Sequence, residues 1–244
     1  MEIGAIKDYY DRYVQRQVLA GVNERHHIIL DLALANGLRK DMRVLELGCG
    51  VGTLTGLLAN ALSQGHLVAM DLSSESIDQA RNTLASHKNV ALRVGDVVSA
   101  PLGGPYDMIV LPDVLEHIPL ERHGLLFRQM KAALADDGHI LVHSPDAWYS
   151  DWLRANRPET QQVIDLALHL PDLLQTISQA DLSLLRFQRH SIWTRTPDYM
   201  ALVIVHPPDV QGYKPSPLPP PTAGSRLRKV LSRIADRTGL KSQR

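Results

Sequence analysis

The run Val44-Leu45-Glu46-Leu47-Gly48-Cys49-Gly50-Val51-Gly52 places glycines and a carboxylate at the end of an apolar, strand-forming segment. Glycines between a strand and a helix let the backbone turn tightly and approach a ligand closely, with the helix N-terminus just beyond. Dinucleotide sites use such a turn too, but two details separate this one from them. The third glycine of a GxGxxG run would fall at position 53, which is Thr53. Glu46 precedes the first glycine, where it would repel a pyrophosphate and suit a cation. Asp71 closes the next apolar run, where an acid can hydrogen-bond ribose hydroxyls. A nucleoside with a positive charge and no phosphate fits this set better than a nicotinamide dinucleotide.

In an open α/β sheet, ligands bind at the carboxyl ends of the strands. Four further titratable side chains fall at such ends. Asp113 and His117 follow the fourth apolar run, and His143 and Asp146 follow the fifth. Each also has a plainer reading: His143 as a satisfied histidine at a strand end, Asp146 as a helix cap, Glu116-His117 as a helix start. Glu116 and His117 are adjacent but have no clear third ligand, and the single cysteine excludes a multi-cysteine centre, so no metal is expected.

These residues need a scaffold, and the chain alternates accordingly. Strands are expected over 43–47, 67–70, 90–94, 107–111 and 139–143, with helices over about 52–64, 74–86 and 121–135, the last stopped by Gly138. This alternation predicts a Rossmann-like α/β fold with a mostly parallel, seven-stranded sheet and helices on both faces. A helix over about 171–180 precedes two strands, one within 184–193 and one over 199–205, joined by a turn too short for a crossover. They should form a terminal antiparallel hairpin.

With these elements in place, the sequence resembles the class I S-adenosylmethionine (SAM)-dependent methyltransferases over about residues 40–205. VLELGCGVG is similar to their first motif, VAMDLS to the next, GDV at Gly95-Asp96-Val97 to the adenine segment, and YDMIVLPDVLEHI to the fourth strand and its loop. The resemblance implies SAM as cofactor. It also implies a cofactor set of Glu46, Gly48, Cys49, Gly50, Gly52, Asp71, Leu72, Asp96, Val97 and Asp113, in which Asp96 meets the adenine amine and Cys49 packs rather than reacts. A hydroxyl acceptor also needs a base, and His117, His143 and Asp146 are the candidates. Arg122-His123 and the DAWYSDWLRANRPETQQVIDLALH segment are similar to methyltransferases of bacterial surface-polysaccharide biosynthesis. The implied function is methyl transfer to a small-molecule or saccharide acceptor, O- or N-directed. The alternatives are a non-catalytic SAM-binding module and, disfavoured by Glu46 and Thr53, a nicotinamide oxidoreductase.

The organisation follows from composition. Residues 1–40 read as an N-terminal helical cap containing Tyr9-Tyr10-Asp11-Arg12-Tyr13, and 41–207 as the SAM-binding domain. An acceptor-side insertion at about 146–169 carries Trp148, Tyr149, Trp152, Arg154 and Arg157, either as an acceptor lid or as a buried helical layer. Residues 208–224 read as a Pro-rich linker. In the 225–244 tail, seven basic residues face one acid and Leu227, Val230, Leu231 and Ile234 follow helical spacing, a pattern that suits an anionic membrane surface. Net charge is zero, so a tail of +6 leaves −6 elsewhere, which opposes nucleic acid. No apolar run approaches the roughly 20 residues of a membrane span. The expectation is a cytoplasmic protein whose tail is more commonly solvated or disordered, with contact to the inner face of the membrane as the alternative.

Overall fold

The computed structural model describes residues 14–160, 162 and 164–208. The N-terminal tyrosines, the linker and the basic tail lie outside them. Residues 14–20 are helical. The elements that follow are α1 (Glu24–Ala35), β1 (Arg43–Leu47), α2 (Thr53–Ala61), β2 (His66–Asp71), α3 (Ser74–Thr83), β3 (Val90–Val94) and β4 (Tyr106–Pro112). A 3-10 turn, Leu115–His117, leads to α4 (Leu120–Ala133), β5 (Leu134–Pro145), α5 (Ala147–Asn156), α6 (Leu170–Gln179), β6 (Ser183–His190) and β7 (Tyr199–Val205).

The seven strands form one sheet in the order β3-β2-β1-β4-β5-β7-β6. The first five run parallel; β7 is antiparallel to both β5 and β6, which gives the expected hairpin. Both faces are covered, so the central strands are apolar throughout instead of alternating. Leu45, Ile109 and Ile140 pack with Leu126, Phe127, Met130 and Ile177 on one face, and Val44, Val110 and Leu141 pack with Ile29, Leu54 and Leu58 on the other.

One local feature differs from expectation, and a second bears on two readings left open. The helix expected over 121–135 ends at Ala133, and Leu134 already begins a strand by pairing with Tyr106. Its apolar spacing continues past the last turn, but sheet pairing takes the residue instead. Gly138 therefore lies inside β5, not after a helix; a Cβ there would come within 2.7 Å of Leu134 and 2.9 Å of the Ala135 carbonyl. In the insertion, α5 is not a buried layer: Trp148 is 74 % and Trp152 51 % exposed.

Candidate active site

The glycine turn is tied to the end of β2. The N–H groups of Gly48 and Cys49 donate to the Met70 carbonyl at 2.7 and 3.0 Å, and that of Gly50 donates to Asp71 Oδ2 at 2.8 Å. Gly48 has φ of +81°, and a Cβ there would lie 2.1 Å from Val114 Cγ2, so only glycine fits. Asp71 Oδ1 accepts from the Ser73 N–H at 2.9 Å, which turns the carboxylate across the loop.

Two cavities meet above this turn. One, of about 140 Å³, is lined by Asp71, Leu72, Asp96, Val97, Ile118 and Arg122. The other, of about 270 Å³, is lined by Glu46, Cys49, Arg25, Glu116, Gln162 and Tyr199, among others. Gln17, Gly48, Gly50, Asp113 and His117 line both. Of the ten expected cofactor residues, nine therefore line one cavity or both. Gly52 lines neither: it caps α2 with φ of +84° and packs against Leu84 and Ala80 of the α3 region.

Glu46 is fully buried, and burial pushes its carboxyl up to about 7, with Asp71 adding to the shift. The Thr55 hydroxyl pulls it partly back but does not stand in normal hydrogen-bond geometry, so both Glu46 oxygens are without a partner. A buried carboxyl of this kind calls for a cationic or hydrogen-donating guest. Burial also pushes the Cys49 thiol well up, with Glu46 and Asp71 adding to it, so Cys49 is an inert wall.

In the smaller cavity Asp96 pairs with Arg122, accepts from the Ser99 hydroxyl at 2.9 Å, and accepts from the Val98 N–H at 3.0 Å. Burial works against its ionisation, but these donors outweigh it and its pKa is lowered.

The three candidate bases occupy different places. His117 lines both cavities. Its Nδ1 lies 2.6 Å from the Ile164 carbonyl, which makes Nδ1 the N–H and leaves Nε2 as the acceptor. Burial, its largest influence, lowers its pKa, so the ring is neutral near pH 7. His143 is completely buried and lines neither cavity; its Nδ1 donates to Asp113 Oδ1 at 2.6 Å. Asp146 also lines neither cavity. It caps α5 through the Trp148 N–H at 3.1 Å and forms a forked pair with Arg189 at 2.6 and 2.8 Å. Asp113 is fixed by Arg25 at 2.9 Å as well as by His143; burial would raise its pKa, but these two partners hold it below the usual range. Burial, with Asp113 adding to it, pushes the Glu116 carboxyl well above the usual carboxylate range.

The site also contains residues that no sequence motif assigned to it. Gln17 lies against Gly50, Arg25 comes from the first turn of α1, and Tyr199 opens β7. The insertion contributes Gln162 and Asp165 to the larger cavity instead of its tryptophans. Among the described residues, no cluster of three His, Cys, Asp or Glu side chains stands close enough to hold a metal ion.

A family profile described as a methyltransferase domain matches residues 38–189. The magnesium-protoporphyrin O-methyltransferase of Synechocystis is 30 % identical over 135 residues, covering 54 % of this chain and 57 % of that protein. The trans-aconitate 2-methyltransferase of Methylobacterium nodulans is 31 % identical over 130 residues, covering 53 % and 48 %. The chain thus spans about half the length of the curated relatives it matches. In fold, it is similar to the Synechocystis magnesium protoporphyrin IX methyltransferase solved with bound SAH, the demethylated cofactor (TM-score 0.65, 19 % identity, 84 % and 99 % coverage). It is also similar to a glycopeptide N-methyltransferase complexed with sinefungin (TM-score 0.62, 15 % identity, 77 % and 88 % coverage).

Proposed function

The chain belongs to the methyltransferase-domain family, and on that premise we propose that it moves a methyl group from SAM to a hydroxyl or amine of a small-molecule or saccharide acceptor. The observation that carries this reading is Glu46, a buried carboxyl with two unpartnered oxygens beside a glycine turn that leaves backbone uncovered. That donor and acceptor set fits a sulfonium amino acid joined to a nucleoside. Glu46 would hold the ammonium group, Asp71 the ribose, and Asp96 with Val97 the adenine edge. Gly48, Cys49 and Gly50 would form the floor, with Leu72 and Asp113 as walls.

When bound, SAM supplies an electrophilic methyl group. The chain's own work is to orient the acceptor, exclude water and remove a proton. His117 suits proton removal, because it is neutral, its Nδ1–H is fixed on Ile164, and its Nε2 can accept a proton from the acceptor. Glu116 Oε1 stands 4.0 Å from that nitrogen, its carboxyl pushed well up by burial. The contacts of Asp146 favour a scaffolding part. The buried His143 acts on Asp113, not on the acceptor. Gln162 and Asp165 bring the insertion to the larger cavity and support its reading as the acceptor side.

The names of the two relatives put small molecules on the acceptor side, and the same class is assigned here by analogy. No helix among the described residues is long and apolar enough to cross a membrane. We assign a peripheral membrane contact to the basic tail; liposome flotation of the full chain against one ending at Pro208 tests it, and equal binding would remove it.

Calorimetry with SAM, SAH and NAD, followed by methyl-transfer assays over sugars, amines and phenols, tests the main reading. Binding of SAM and SAH but not NAD is expected, with transfer to one acceptor class. Uptake of NAD without affinity for SAH would overturn it.

A further inference from the structure

Behind the wall shared by the two cavities, four polar side chains from four parts of the fold stand in line. Arg25 of α1 pairs with Asp113 at 2.9 Å, and Asp113 Oδ1 meets His143 Nδ1 at 2.6 Å. His143 Nε2 then lies 3.2 Å from Nε2 of His190, the last residue of β6. His143 has no exposed surface, so it acts only through these neighbours.

The protons along this line can be assigned from the partners. An ionised carboxylate only accepts, so His143 Nδ1 carries its hydrogen and, in the neutral ring, Nε2 is a bare acceptor. His190 Nε2 must then be the donor, which leaves its Nδ1 bare. Nδ1 of His190 is indeed buried with no partner. The opposite tautomer would bury an unpaired N–H there and put two bare nitrogens face to face.

Asp113 requires such support. Its φ of +52° lies in the left-handed region, which costs a non-glycine residue about 1–3 kcal/mol unless its surroundings over-determine it. The surroundings do so: its N–H donates to the His143 carbonyl at 2.8 Å, and its two carboxylate oxygens are taken by His143 and Arg25.

We propose that His190 is a positioning residue: its Nε2–H donates to the Nε2 that Asp113 leaves bare on His143, fixing that ring, and His143 in turn keeps Asp113 aimed into the site and paired with Arg25. Arg25 lies before the segment that matches the family profile, and His190 directly follows its end. The inference rests on reading Asp113 as part of the methyl-transfer site. The groups that face His190 are the His143 ring at 5.2 Å, the Tyr199 ring at 6.3 Å, and the charges of Asp198 and Asp113.

The test is nitrogen–proton correlation NMR on the histidine-labelled full chain, with and without SAH. In the wild-type chain His143 should read as the Nδ1–H tautomer. His190→Phe keeps a ring but removes the donor, and should move the His143 Nε2 resonance to that of an acceptor nitrogen without a hydrogen bond. It should also weaken SAH binding by about 2–10-fold, the size of one lost hydrogen bond. His190→Gln, which can donate through its amide, should restore the wild-type pattern, and thermal unfolding of both variants monitors folding. An Nε2–H tautomer in the wild-type chain, or a His143 signal unchanged in a folded His190→Phe, overturns the proposal. Failure of the wild-type chain to bind SAH would instead overturn the function, and the tautomer would still be readable without it.

Discussion

Replacing Glu46 by Gln should make the free protein more stable and a worse cofactor binder, with the balance set by pH. Burial raises the carboxyl from 4.5 to about 7, so the folded chain keeps a proton that the unfolded chain gives up. The neutral form is therefore fully compatible with folding below pH 4.5, and stability falls as pH rises from about 4.5 to about 7. A shift of this size corresponds to about 3 kcal/mol at pH 8, an upper value for a fully buried group. Gln removes that cost but buries an amide without partners, at roughly 1–2 kcal/mol. The net gain for the free protein at pH 8 is about 1–2 kcal/mol, or a Tm rise of roughly 2–6 °C. A bound ammonium requires Glu46 to be ionised, so SAH affinity should fall about tenfold between pH 8 and pH 6. Gln should lose about 10–100-fold at pH 8, the worth of a hydrogen bond to a charged group, and should lose that pH slope. Differential scanning fluorimetry and calorimetry from pH 5.5 to 8.5 measure both. A variant less stable than wild type at pH 8, or one that keeps the wild-type pH slope, would refute the reasoning.

Asp71→Asn removes the charge of the ribose acid and sets an amide NH2 against the Gly50 or Ser73 N–H, so calorimetry should show SAH weakened by about 10-fold or more and thermal unfolding a loss of about 1–3 kcal/mol. Gly48→Ala adds a Cβ only 2.1 Å from Val114 at a left-handed φ; thermal unfolding should show a loss of about 1–3 kcal/mol, and SAH binding should drop with it. Asp146→Ala removes a helix cap and a forked ion pair whose arginine is 40 % exposed, so about 1–3 kcal/mol of stability should go while SAH affinity stays within about threefold. Once an acceptor is known, His117→Ala should cut methyl transfer by about 10²–10⁴-fold with SAH affinity held, and a wild-type rate would remove His117 as the base.

The residues proposed for the cofactor side come together around one glycine turn because their placement is local. Glu46 at the end of β1 and Gly48 and Gly50 just after it lie on one strand-to-helix connection, Asp71 ends β2, and Asp96 lies two residues past β3, so sequence order alone lines them up once the strands run parallel. Gly52 shows the limit of that logic, since the same motif that supplies the floor also supplies a packing glycine against Leu84. The acceptor side was less legible for a different reason. The pairing of His143 with Asp113 depends on the register in which Pro112 stands opposite His143 across β4 and β5. The pairing of His143 with His190 needs, in addition, β7 to be inserted between β5 and β6. Asp146 has the spacing of a cap and the position of a base, and its partner Arg189 lies 43 residues away. No local pattern contains such information.

That contrast bears on where acceptor choice resides. The segment matching the family domain, 38–189, contains the glycine turn, Asp71, Asp96, Asp113 and His117. Arg25 and Tyr199, which flank Asp113 in the larger cavity, lie before and after it. Tyr199 stacks on His143 at 4.9 Å, and burial, its largest influence, raises its phenol pKa with Asp113 adding to it, so it remains a neutral hydroxyl in the working pH range. A shared domain that holds the cofactor needs its walls kept constant, whereas a cavity that selects among acceptors needs walls that can differ from one relative to the next. Exchanging residue 199 should therefore alter which acceptor is methylated before it alters affinity for SAH, whereas exchange at 25 also releases Asp113 and should change both. Substitutions at Asp71 or Asp96 should do the reverse of exchange at 199.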